Sequence, residues 1–169
     1  MRAARSEIKR IVVGLDGSQP AQAALEWTVG LARQVGGDVV AVYAIVPPST
    51  IEYAFGAQFA LPPQLDEKWR AETRREFEEI WCQPLDDSGL AYRTLFEEGR
   101  AADVIASTAA RLEADLVVVG RRGRGNVADL VLGSVSHELT HRCRRPVVVI
   151  SGPRPASSLA PAVAATAEA

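Results

Sequence analysis

Leu116-Val117-Val118-Val119-Gly120-Arg121-Arg122-Gly123-Arg124-Gly125-Asn126 is a short apolar run that empties directly into a turn rich in glycine and arginine. Four consecutive aliphatic residues without polar alternation predict a strand buried on both faces, the pattern of a parallel sheet covered by helices. After Val127 to Leu132, Gly133-Ser134-Val135-Ser136 opens a helix with Leu139 and Cys143 toward the core, and Pro146 to Ile150 makes another apolar strand. The same rhythm runs back toward the N-terminus. Ile11-Val12-Val13 is a strand that stops at Gly14-Leu15-Asp16-Gly17-Ser18. Ser18 is set to cap a helix with Pro20 in its first turn, and Ala21, Ala24, Leu25, Thr28, Leu31, Ala32 and Val35 recur at helical spacing until Gly36-Gly37. Val39 to Val46 is a second buried strand, ended by Pro47-Pro48. Gln64 to Gln83 carries the apolar stripe Leu65, Trp69, Thr73, Phe77, Ile80 and Trp81, an amphipathic helix whose two tryptophans belong to the core. Asp86-Asp87-Ser88-Gly89 ends it, Leu90 to Phe96 is a third strand, and a helix with Ile105, Thr108, Ala109 and Leu112 on one face follows Gly99.

Five strands alternating with four helices predict an α/β fold: an open five-stranded parallel sheet with helices on both faces and right-handed crossovers. The 169 residues suit one domain, expected over 1–152, followed by a disordered Ala/Pro/Ser tail over 153–169. Residues 49–63, with Gly56, Pro62 and Pro63 among Tyr53, Phe55 and Phe59, read as a loop without an assigned role. Hydrophobic residues at 47% and charged residues at 24% exclude disordered and collagen-like chains. A net charge of −2 offers no general pull toward nucleic acid or anionic lipid. No stretch approaches the roughly 18 apolar residues of a membrane span, and the charged stretch Met1 to Arg10 is not followed by the apolar h-region of a signal peptide, so a cytoplasmic protein without membrane partners is expected.

Several chemistries fail on motif. Two cysteines, Cys82 and Cys143, form no CxxC pair, and His137, His141 and Cys143 fall short of a four-ligand zinc site. There is no G-x-x-x-x-G-K-[ST], no complete G-x-G-x-x-G, no G-x-S-x-G and no H-E-x-x-H, and no catalytic residue is assigned. What remains is a pair of turns at strand ends, where open α/β sheets bind ligands. Glycines over 120–136 let backbone amides approach an anion, and the helix opening at Ser134 favours negative charge by its free N–H groups and dipole. Arg121, Arg122 and Arg124 add positive charge. Asp16, across the crevice, can accept from a ribose hydroxyl or hold Mg²⁺ through water. Taken singly, the second turn also reads as a flexible connection and Asp16 as a turn residue; a nucleic-acid patch on a net-acidic domain is disfavoured.

Val13-Gly14-Leu15-Asp16-Gly17-Ser18, the strand ending near Tyr43-Ala44, and Gly120-x-x-Gly123 followed nine residues later by Gly133-Ser134 resemble the universal stress protein family in its ATP-binding branch, over roughly residues 8–152. The resemblance implies a parallel sheet of order 3-2-1-4-5, ATP with Mg²⁺ between the two turns, and a homodimer joined along the last strand. It places Gly14 and Asp16 at the adenosine end and Ala44 against adenine. Gly120, Gly123, Arg124 and Gly125 would line ribose and phosphates, with Gly133, Ser134 and Val135 contacting phosphate. Three positions depart from the family pattern: Asn126, Val127 and Asp129. Asn tolerates left-handed backbone, whereas the Asp129 carboxylate repels a triphosphate unless a cation intervenes.

Three functions stay open: a nucleotide-dependent regulatory module acting on protein partners the sequence does not identify, a slow ATPase, and a dimeric interaction protein with a decayed site. An apolar last strand, residues 146–150, at a sheet edge independently favours pairing with a second copy.

Overall fold

The computed structural model describes residues 7–46, 63–123 and 132–152. Its sheet contains β1 (Arg10–Gly14), β2 (Asp38–Ile45), β3 (Tyr92–Glu98), β4 (Leu116–Gly120) and β5 (Val147–Ile150), all parallel, in the order β3-β2-β1-β4-β5. This is the expected order 3-2-1-4-5. Alternate residues of each strand point to opposite faces. Ile11 and Val13 lie under α1 (Gln19–Val35), while Val12, Val40, Val117 and Val119 lie under α4 (Ala101–Arg111) and α5 (Ser134–Arg142). With both faces covered, the strands can be continuously apolar, as in Leu116-Val117-Val118-Val119.

The ends of α1 follow from local chemistry. Ser18 Oγ accepts the Ala21 amide at 3.3 Å, Pro20 stands in the first turn, and Gly36 closes the helix at φ 67°, where a side chain is strained. Ala21, Ala24, Leu25, Thr28 and Ala32 are buried against the sheet, and Val35 is exposed.

The second helical stretch differs from one continuous amphipathic helix. It is α2 (Pro63–Glu76), a single π turn (Phe77–Trp81) and the short α3 (Gln83–Asp86). The wider i→i+5 winding keeps Phe77 and Trp81 on the sheet and swings Ile80 outward to 62% exposure. Trp81 joins Tyr43, Phe77 and Phe96 in an aromatic cluster, with the Trp81 and Tyr43 rings 5.1 Å apart edge-to-face. Trp69 is not core: it is 38% exposed. At about 100° per residue it stands roughly 80° around the helix from Phe77, off the buried stripe. The third strand runs two residues later than the Leu90–Phe96 expected, because Leu90 packs at the core margin while Glu97 and Glu98 still pair with Ala44 and Ile45.

The expectations for residues 49–62, for Asn126, Val127 and Asp129, and for the 153–169 tail lie outside the described residues, as does the side chain of Leu65. Among the described residues no helix is long and apolar enough to cross a membrane.

Candidate functional site

Strand order reverses at β1: the chain builds β2 and β3 on one side, then crosses to β4 and β5 on the other. The crevice beyond the carboxyl ends of β1 and β4 is where such a sheet accepts a ligand. It holds a cleft of about 390 Å³, in the size range of small-molecule sites. Gly14, Asp16, Gly120, Gly123, Gly133, Ser134 and Val135 line it, together with the basic Arg121 and Arg122 and the apolar Ile105 and Val119. Seven of the ten residues singled out in the sequence therefore share one cavity. Ala44 is not in its lining; it packs at the end of β2 with the cluster beneath α4. Arg124 and Gly125 lie outside the described residues.

The first turn is organised by Asp16. Its Oδ1 accepts the Ser18 amide at 3.0 Å, Gly17 takes φ 75°, and the chain then enters α1. The other carboxylate oxygen, Oδ2, faces Gly123, where a Cβ would collide with it. Ser18 does more than cap: its Oγ donates to the Arg122 carbonyl at 3.4 Å, linking the two turns. Ser18 thus ties the first turn to the second, with the Asp16 carboxylate packed beside Gly123.

Glycine in these turns answers to chain packing as much as to any ligand. A Cβ at Gly120 would lie 2.6–2.8 Å from Pro20 and Ala21 backbone atoms, so this glycine lets the first turn of α1 press against β4. A Cβ at Gly14 would lie 2.6 Å from Ile105 Cδ1 and 3.1 Å from Val119 Cγ1, so these two side chains pack over the end of β1 in the space the glycine leaves. Gly133 sits with its Cβ direction 3.2 Å from Arg121 and Arg122 backbone, and its amide donates to the Arg121 carbonyl at 2.8 Å. That amide is engaged within the chain. Ser134 and Val135, the first two residues of α5, have amides with no intrahelical acceptor available, and both residues line the cleft.

Ser136 was absent from the candidate set. It is buried, and its Oγ is shared between the Arg121 carbonyl at 2.9 Å and the Gly133 carbonyl at 3.0 Å. Arg121 in turn donates its amide to Ile150 at 2.7 Å. The ends of the segment between β4 and α5 are thus fixed to β5 and to each other. The signal was a serine in the third position of a helix after a glycine-rich turn, a place that a solvent-facing residue can also fill.

In charge terms, the described lining brings together one acidic residue, Asp16, two basic residues, Arg121 and Arg122, and the positive end of α5. Such a site suits an anionic ligand that also presents a hydroxyl or amine. His137 and His141 do not line the cleft, and among the described residues no group of three metal-ligating side chains occurs.

A doubly wound α/β protein with an anion-ready cleft at its switch point is the class that fold and site define. Over residues 7–151 the chain matches the model of the universal stress protein family, and it belongs to that family. Universal stress protein MJ0531 of Methanocaldococcus jannaschii is 26% identical over 146 residues, covering 86% of this chain and 84% of that protein. Universal stress protein Sll1388 of Synechocystis sp. is 28% identical over 150 residues, 83% of this chain and 96% of its own length. Among solved structures, protein MJ0577 superposes with a TM-score of 0.73 at 21% identity, covering 88% and 99% of the two chains. A universal stress protein in complex with cAMP gives 0.61 at 22%, covering 86% and 98%. An Arabidopsis thaliana family member with AMP bound gives 0.57 at 20%, covering 89% and 94%. The last two proteins hold adenine nucleotides.

Proposed function

We propose that this protein is a nucleotide-binding regulatory module that takes ATP with Mg²⁺ at the carboxyl ends of β1 and β4. The observation that carries the reading is the cleft that joins Asp16 to Gly123 across the two turns, with the first amides of α5 beside them. In this reading Asp16 accepts from the ribose or anchors Mg²⁺ through water. Gly14, Gly120 and Gly133 keep the cleft closed-packed, and Gly123 clears room for the Asp16 carboxylate. Ser134 and Val135 donate amides to phosphate, with Arg121, Arg122 and Arg124 supplying charge. In this reading Gly125 is assigned to the ribose and phosphates and Ala44 to the adenine. Two family members that hold cAMP and AMP support an adenine nucleotide as ligand.

The reading is of a binding protein because Asp16 is the one carboxylate in the described cleft lining and serves here as ribose acceptor or Mg²⁺ anchor, which leaves no second carboxylate or histidine among the described lining residues to act as general base. Slow hydrolysis remains the alternative activity for this site. The domain spans 1–152 in this reading, acts in the cytoplasm, and dimerises by edge pairing of β5, whose four apolar residues are all half-buried in the single chain. Denaturing freshly purified protein and identifying the released small molecule by mass spectrometry tests the assignment. Adenine nucleotide near one per chain is expected; an empty protein that also ignores added MgATP overturns it.

A further inference from the structure

The outer side of α5 carries chemistry that the nucleotide reading leaves unused. His137 and His141 are four residues apart, so one helical turn brings them together. Their ring centroids are 4.6 Å apart, with the planes at 64°. The rotation of the helix is fixed by contacts on its other sides: Ser136 and Leu139 are buried, and Glu138 and Arg142 reach across to Arg100 and Asp103 of the neighbouring segment at α4. The imidazoles therefore stand away from both the core and the cleft, and both histidines are exposed. Thr140 Oγ1 donates to the His137 carbonyl at 2.8 Å, within the same turn.

We propose that His137 and His141 form a two-imidazole chelate for a divalent transition cation of the Ni²⁺, Cu²⁺ and Zn²⁺ class, with water in the remaining positions. Two histidines at this spacing on a helix present ring nitrogens to one point in space, which is how paired helical histidines bind zinc elsewhere. Two imidazoles on one tetrahedral ion, with metal–nitrogen bonds of about 2.0–2.1 Å, hold their ring centroids about 5 Å apart. The 4.6 Å seen here is within reach by small side-chain rotations. Imidazole donors select this class of cation, whereas Mg²⁺ and Ca²⁺ require oxygen ligands. Glu138, between the two histidines, is held by Arg100 at 2.9 Å and is not needed as a ligand. The chelate ties together successive turns of α5, the helix whose first turn gives Ser134 and Val135 to the cleft.

The test uses the full chain, freed of metal with a chelator that is then removed, and titrated separately with NiCl₂, ZnCl₂ and MgCl₂ by calorimetry and by thermal melts. The expected result is one saturable Ni²⁺ or Zn²⁺ per chain, a melting temperature that rises with metal and returns on adding EDTA, and no such response to Mg²⁺. His141→Ala and His137→Ala, each checked for folding by circular dichroism, should each weaken binding by roughly tenfold or more. Cys143→Ser should bind as the parent does. Absence of saturable binding below millimolar metal, or unchanged affinity in either histidine variant, overturns the proposal.

Discussion

The Asp16 carboxylate occupies the space where a side chain at Gly123 would begin. Two turns that are 107 positions apart in sequence are therefore fitted to each other atom against atom, and the glycine is required by its partner's shape before any ligand arrives. Gly123 itself is exposed, so the fold does not depend on it. Gly123→Ala is expected to leave circular dichroism unchanged, because the obstacle is the end of a movable side chain. It displaces the carboxylate from the cleft, and adenine nucleotide affinity should fall by about tenfold or more, read by calorimetry.

Gly120 behaves differently because its neighbours are backbone atoms of Pro20 and Ala21 that have no rotamer to change. Gly120→Ala forces α1 off β4 and should destabilise the protein by about 1–3 kcal/mol in urea unfolding. Gly30 is the internal control. It lies within α1 with open space around its Cβ position, and Gly30→Ala should stabilise by about 0.4–1 kcal/mol.

Ser136→Ala removes the donor shared by the Arg121 and Gly133 carbonyls at a buried position. A loss of about 1–2 kcal/mol is expected by chemical denaturation, with faster amide exchange at Gly133, whose own bond to Arg121 depends on the same junction. Unchanged exchange there would mean that the Gly133–Arg121 bond holds the junction alone.

Cys82 is fully buried, and burial first, then the nearby Asp86 and Glu78 carboxylates, push its thiol up from 9.0 to about 12. Tyr92 is pushed up from 10.0 to about 12, chiefly by its hydrogen bond to Asp86. Both groups hold their protons in the folded chain at pH values where the unfolded chain has lost them. Their contributions are complete below about pH 9 and are lost as pH rises through that window toward 12, so stability measured by urea midpoints should fall there. At pH 8 a thiol reagent should modify Cys143 in the native protein and reach Cys82 only on unfolding.

Much of this architecture was legible because its signals are local and redundant. Apolar runs such as Val117-Val118-Val119 are strands under either neighbour, and Ser18, Pro20 and Gly36 mark the ends of α1 without help from the tertiary structure. The π turn was not legible: Phe77, Ile80 and Trp81 fit one α-helical stripe, and only packing of Trp81 against Tyr43 selects the wider winding that exposes Ile80. Glycine positions were found but their reasons were not. Sequence suggested room for phosphate, whereas Gly120 and Gly14 serve the contacts with Pro20 and Ile105, atoms that only the folded chain brings near. Ser18 and Ser136 bond to carbonyls more than ten residues away, and no spacing rule reports such partners.

The central claim is that Asp16 and the α5 amides form an adenine nucleotide site. Calorimetric titration of the full chain with MgATP, beside Asp16→Ala, tests it most directly. The account predicts saturable binding at one nucleotide per chain in the parent and a loss of about tenfold or more in the variant. Equal binding by both chains, or none by a folded parent protein, would contradict it.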